Sequence, residues 1–157
     1  MAILGGGLGG GAQSRLYRTW TIDKRLAAYA GAWFSDDQLD SGDFGVYAAP
    51  NPGVEPATLE KEVDVILADL RDKGITQDDL DTIRNRMIAE STYMLDSQET
   101  LARMFGVALT TGQKIDDVLN WERDIAAVTV DDVSRAAKRV LDLRASVTGV
   151  LLPEAGG

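Results

Sequence analysis

The residues best placed to do chemistry lie in the head of the chain, ILGGGLGGGAQSRLYR from Ile3 to Arg18. Gly5, Gly7 and Gly10 satisfy the spacing G-x-G-x-x-G, which in a dinucleotide site lets the backbone approach a pyrophosphate. That site needs a strand before the glycines and a helix after them, and only Ile3 and Leu4 stand ahead of them as strand formers. No Gly-Lys-Ser/Thr follows, so a P-loop fails as well. Each glycine costs a helix roughly 1 kcal/mol relative to Ala, so Gly5 to Gly11 is expected to be a flexible loop. Arg15, Tyr17 and Arg18 follow on a short helix. They suit contact with a peptide carboxylate or backbone, and equally an ordinary surface with a partly buried tyrosine. Asp36, Asp37, Asp40 and Asp43 cluster in one polar stretch, but their spacing is not that of an EF-hand, and Asp is common in turns without metal.

Other chemistry is excluded by what the chain lacks. It has no histidine, so Ser97 and Ser134 have no imidazole to activate them, and nothing points to a Ser–Lys pair. It has no cysteine, which removes disulfides, thiolate nucleophiles and Cys-based metal sites. Acidic residues outnumber basic ones, 25 to 16, for a net charge of -9. That balance argues against nucleic acid and against an anionic membrane surface, both of which attract a basic field. It would suit basic peptides, though a solvated acidic surface explains it as well. No apolar run approaches the ~20 residues of a membrane span, and no secretory signal opens the chain. Met1 is therefore expected to begin a fragment rather than a natural precursor. A periplasmic source stays open beside a cytoplasmic one.

The elements that must position these residues are legible from periodicity. The 157 residues, 45% hydrophobic, suit one domain with one core. Ser14 to Trp20 gives about two helical turns. Ala27 to Phe34 alternates, with Ala28, Ala30, Ala32 and Phe34 on one face and Tyr29 and Trp33 on the other. After the turn Ser35 to Gly42, Phe44 to Ala49 alternates again, which predicts an antiparallel hairpin. A helix is expected over Glu55 to Lys73 with the stripe Leu59, Val63, Ile66, Leu67 and Leu70, closed by Gly74. Thr76 with Asp79, and Thr129 with Asp132, mark two further helix starts. Leu80, Ile83, Met87 and Met94 form the stripe of the helix that Thr76 opens. After a break near Asp96 and Ser97, Leu101, Met104, Phe105, Ala108 and Leu109 form another, closed by Gly112. Ile115 to Trp121 reads as a short turn or helix. Val133, Ala136, Ala137, Val140 and Leu141 form a last stripe, and Ala145 to Leu152 reads as a final strand before a frayed tail. Trp20, Trp33 and Trp121 are expected as core or interface anchors. The predicted class is α+β, a mostly antiparallel sheet with helices packed on one face.

The glycine-rich head, the hairpin and the tail segment AVTVDDVSRAAKRVL (Ala127 to Leu141) together resemble the C-terminal, non-catalytic half of bacterial M16 zinc peptidases. That family includes insulinase, pitrilysin and the processing peptidases, whose half-domains share a metallohydrolase fold with LuxS. The resemblance implies one domain over residues 1–157, a fragment starting inside its half-domain. It implies missing strands, and hence an unpaired sheet edge, exposed apolar surface and self-association. It also implies zinc and the motif H-x-x-E-H on a catalytic half elsewhere, since a chain without histidine cannot carry them. No cofactor is expected in this chain.

In the processing peptidases of that family a glycine-rich loop at a comparable place in the non-catalytic partner helps receive substrate, and the resemblance makes Gly5, Gly6, Gly7, Gly9, Gly10 and Gly11 candidate contacts, with Arg15 beside them. Active members often place an Arg and a Tyr, seven residues apart, against the scissile carbonyl. Those positions fall here on Thr21 and Ala28, which do not match; Arg25 and Tyr29 are the nearest candidates, and Tyr29 is one residue late. Two functions follow from the resemblance. One is a substrate- or partner-binding half, pairing with the catalytic half around a peptide. The other is a stand-alone assembly module of the same fold.

Overall fold

The computed structural model describes residues 1–10, 14–35, 42–95 and 97–152, with side chains of 92–95 left aside. The elements run α1 (Ala2–Gly9), a π-helical segment (Tyr17–Asp23), β1 (Ala27–Ser35), β2 (Asp43–Pro50), α2 (Pro56–Lys73), α3 (Gln77–Leu95), α4 (Gln98–Thr110), α5 (Ile115–Leu119), α6 (Trp121–Ala127) and α7 (Val130–Val140). The architecture is α+β, as expected. β1 and β2 form an antiparallel hairpin, and helices cover one of its faces. Among the described residues no helix is long and apolar enough to cross a membrane.

The head is the main correction. Gly5, Gly6, Gly7 and Gly9 belong to a helix, not a loop, and Gly11 lies outside the described residues. Propensity loses here to packing. Ile3, Leu4 and Leu8 are each only 2% exposed, and the bare glycine faces let α1 lie directly on β1. A Cβ on Gly5 would stand 3.3 Å from Phe34 Cβ, and one on Gly9 would overlap the Ala32 backbone. Arg86 of α3 closes the helix from outside. Its guanidinium donates to the carbonyls of Gly10 and Gly6, the latter at 2.6 Å. The Gly6 carbonyl also accepts from Gly10 N–H at 3.0 Å, whereas the Gly10 carbonyl lies past the last helical donor, and a cation at this end suits the helix dipole.

The second helix runs past Trp20. Its backbone shifts to wider bonds, with Lys24 N–H donating to Thr19 O at 2.9 Å, and it ends at Asp23. Leu16 and Trp20 are fully buried beneath it. Arg25 then turns the chain at φ 53, and its carbonyl accepts from Asn51 Nδ2 at 2.8 Å.

In β1 a bulge falls between Ala27 and Tyr29. Ala27 is buried and Ala28 is exposed, so Ala28 leaves the inward face it was expected to share with Ala30 and Ala32. An extra residue in one strand breaks the alternation locally. Beyond the bulge the expected faces hold: Ala30 and Ala32 pack on the core with Phe44, Val46 and Ala48 of β2. Asp43 belongs to β2, opposite Ser35, while Asp36, Asp37 and Asp40 lie outside the described residues.

The helices α2, α3 and α7 bury the predicted stripes: Leu59, Ile66 and Leu70; Leu80 and Ile83; Val133 and Ala137. Gly74 caps α2 at φ 70. Thr76 and Asp79 exchange a reciprocal cap, with Asp79 N–H donating to Thr76 Oγ1 at 3.1 Å and Thr76 N–H to the Asp79 carboxylate at 3.0 Å. Thr129 and Asp132 repeat it. Ser97 accepts from Thr100 N–H at 3.2 Å to open α4. In α4 only part of the stripe is covered: Ala108 is buried, but Leu109 is exposed. The single short element expected over 115–121 is two helices, α5 and α6.

The expected final strand is absent. After a 3-10 turn at Leu143–Ala145 the chain runs on without strand pairing, and Val147 and Leu151 are 98% and 97% exposed. β-branched composition makes a strand only where the segment pairs with a neighbour, and this one pairs with neither strand of the described sheet, which holds two strands rather than three. Each of the two therefore keeps an outer edge without a strand partner among the described residues.

Candidate functional site

Two surfaces gather the candidate residues. The first is a cleft of about 1150 Å³ on the helical side, between α1, the π-helical segment, the end of α2 and the start of α3. Its floor is apolar, with Ile3, Leu4 and Ile83. Gly6 and Gly7 also line it, and a Cβ on Gly7 would stand 2.5 Å from Ile83 Cδ1. Its rim carries Arg15, Arg18, Lys73 and Arg86 against two carboxylates, Asp23 and Asp79. Asp79 is occupied: the Thr76 N–H, then the Thr76 hydroxyl, hold its carboxyl below the usual range. Arg15 and Lys73 share Asp69, which Lys73 above all holds low in pKa by a hydrogen bond at 2.6 Å. Arg18 is exposed and has no ion pair among the described residues.

The second surface is the outer face of the hairpin. Tyr29, Trp33 and Tyr47 stand there, 58%, 47% and 51% exposed. Gly31 lies opposite Tyr47 and Gly45 opposite Trp33. Each glycine is covered by the aromatic across from it: a Cβ on Gly31 would meet Tyr47 Cζ at 2.6 Å, and one on Gly45 would meet Trp33 Cζ2 at 2.6 Å. Such cross-strand cover orders the rings and pins register. The Tyr29 and Tyr47 rings stand 6.4 Å apart, tilted by 52°.

The structure therefore divides the sequence candidates. Gly6, Gly7 and Arg15 meet at the cleft. Gly5 and Gly9 face β1, and Gly10 gives its carbonyl to Arg86. Tyr29 lies on the other side of the sheet from α1, because α1 packs on the Ala32 and Phe34 face. Arg25 sits in the left-handed turn leading into β1. The bulge brings Ala28 and Tyr29 both to the exposed side, so the one-residue offset of Tyr29 does not bury it. Sequence reasoning missed Arg86 and Lys73, for which no local pattern exists. It also missed the pairing of Trp33 and Tyr47 with glycines, which the hairpin register could have disclosed.

The family described as the peptidase M16 inactive domain matches residues 1–87, more than half of the chain. The chain belongs to this family. Similar curated proteins agree with that. An uncharacterized zinc protease of Streptomyces coelicolor is 30% identical over 154 residues, 94% of this chain and 32% of its own length. The zinc protease PqqE of Helicobacter pylori is 31% identical over 148 residues, 93% of this chain and 32% of its own. The M16 inactive domain described here thus spans about a third of the curated relatives it matches. Among solved structures, a protease from Helicobacter pylori superposes with a TM-score of 0.79 at 26% identity, covering 89% of this chain and 33% of that one. A Bordetella parapertussis structure described as the inactive peptidase domain of a zinc protease reaches 0.84 at 22% identity, covering 99% of this chain and 82% of that one, and shows the shared fold.

Zinc does not fit the residues of this M16 inactive domain. The sequence has neither His nor Cys, and among the described residues no three Asp or Glu side chains converge as a metal would require. The catalytic motif of the family cannot stand on a chain without histidine.

Proposed function

We propose that this M16 inactive domain is the substrate- or partner-binding half of a zinc metallopeptidase, with zinc and H-x-x-E-H supplied by another domain or chain. The observation that carries this reading is the pairing of the family match over residues 1–87 with a sequence devoid of histidine. The exposed Tyr29, Trp33 and Tyr47 face supports it, because rigid aromatics on a sheet offer large contact area at little entropic cost. On this reading Arg25 and Tyr29 meet substrate or partner at the hairpin, and Gly6, Gly7 and Arg15 at the cleft. The tight packing of Gly5, Gly9 and Gly10 serves to hold α1 in place.

The test uses the purified chain, alone and mixed with the H-x-x-E-H segment encoded with it. The chain alone is expected to hold no stoichiometric zinc by elemental analysis and to leave peptides intact. The mixture is expected to form a complex that cleaves them and stops with chelator. Chelator-sensitive cleavage by the chain alone refutes the proposal. Failure of the zinc-bearing segment to bind it would favour the assembly module instead.

A further inference from the structure

We infer that residues 146–152 add as a third strand to the outer edge of β2 in a second copy of this chain, in a reciprocal exchange that makes a dimer. Donor and acceptor stand on one molecule, and that selects a copy as the occupant. An exchange closes when each copy both gives and receives. The donor reads Ser-Val-Thr-Gly-Val-Leu-Leu, without a charge or a proline. A window of high β-propensity and no charge is a ready pairing strand. It joins neither strand of its own molecule, and Val147, Val150, Leu151 and Leu152 are all exposed. Four aliphatic side chains left in water favour any contact that buries them. The exchange holds whether or not the chain serves a peptidase.

Two features direct the incoming strand to β2 rather than β1. The extra residue at Ala28 bulges β1, and a bulge twists an edge away from pairing. α1 and the π-helical segment also crowd β1, whereas the main neighbours of β2 are β1 and α2, the helix that follows it. From Phe44 to Ala49 the strand has no charge, bulge or proline to guard its edge. The faces match as well. Phe44, Val46 and Ala48 pack on the core, while Trp33 and Tyr47 stand on the outer face, so a strand laid beside β2 meets apolar side chains on both sides. Successive side chains of a strand alternate, so residues 146–152 present Val147 and Leu151 on one face and Val150 and Leu152 on the other. A strand with one polar face would match only half of this sheet. At about 3.3 Å per residue the donor runs about 23 Å, nearly the length of the eight-residue β2.

Sedimentation velocity on the intact chain from about 1 to about 200 µM reads the assembly, and hydrogen exchange at both ends of that range locates it. The parent is expected to pass from monomer to dimer, with the amides of 43–50 and 146–152 gaining protection together. Val147→Lys with Leu151→Lys is expected to weaken the dimer about a hundredfold, since two aliphatic contacts become charges at a pairing edge. Both positions are almost fully exposed in the single molecule, so its circular dichroism spectrum and its urea midpoint at low concentration are expected to stay unchanged. A parent that stays monomeric at the top of the range, a double variant that dimerises like the parent, or a dimer that protects neither segment each overturns the inference. Protection of β2 that appears only when the zinc-bearing segment is added assigns the edge to that partner and overturns it too.

Discussion

Replacing Gly9 with alanine sets helix propensity directly against packing. In an isolated helix the change favours folding by about 1 kcal/mol. In this fold the new methyl lands on the backbone of β1. It overlaps the Ala32 nitrogen and stands 2.5 Å from both Ala32 Cα and the Gly31 carbonyl carbon. Non-bonded heavy atoms rest at about 3.5–4.0 Å, so α1 must move off the strand by roughly 2 Å, and no rotamer change can relieve backbone overlap. Overpacking of this kind costs about 1–3 kcal/mol. The shift also loosens Leu4 and Leu8, each 2% exposed and each worth about 1.5–3 kcal/mol when buried. Gly9→Ala is therefore expected to lose about 2–4 kcal/mol net. Gly106→Ala is the internal control. It sits in α4 with nothing within 4 Å of a Cβ, so only the propensity gain acts, about 0.5–1 kcal/mol. Urea unfolding followed by tryptophan fluorescence measures both, with Trp20 a fully buried reporter. A Gly9→Ala protein as stable as the parent would refute the close seat of α1 on β1. It would restore the loop reading of the glycines.

Arg86→Ala removes two charged hydrogen bonds from the end of α1 and is expected to cost about 2–3 kcal/mol, with amide exchange at Gly5 to Gly10 accelerating more than in α7; Arg86→Lys, which cannot form the same fork, is expected to recover only part. Uniform acceleration across both helices would show global loss rather than a local cap. Acid sensitivity follows from carboxylates whose folded pKa lies below the unfolded value of about 3.9. The unfolded chain then binds more protons in that range, so stability is complete above about pH 4 and falls as pH drops through the folded values. Asp79, held down by Thr76, and Asp142, lowered to about 2 by Arg144, act in this window. Urea midpoints from pH 6 to pH 2.5 are expected to decline less steeply in Asp79→Asn than in the parent; parallel curves would remove Asp79 from the account.

Much of the fold was open to reading because its signals are local. The caps at Thr76 and Thr129 need only a hydroxyl and a carboxylate three residues apart. The stripes of α2, α3 and α7 need only helical periodicity, and the hairpin needs only two alternating runs around a polar turn. The bulge at Ala28 was hidden because it arises from pairing with β2, not from the residue itself. The cleft was hidden for the same reason. Arg15, Lys73 and Arg86 are far apart in the chain, and only the meeting of three helices sets them on one rim.

By itself the order of residues settled the family, the α+β class and the absence of any imidazole from which a zinc site could be made, because composition and motif spacing do not depend on folding. Tertiary structure decided the conformation of the two segments whose propensities pointed elsewhere. The glycines became a helix because a strand and an arginine accepted them at close range. The segment 146–152, whose composition favours a strand, is not one because it packs against neither edge of the described sheet and stays exposed at Val147 and Leu151. In both cases contact with the rest of the fold, and not propensity, decided the backbone.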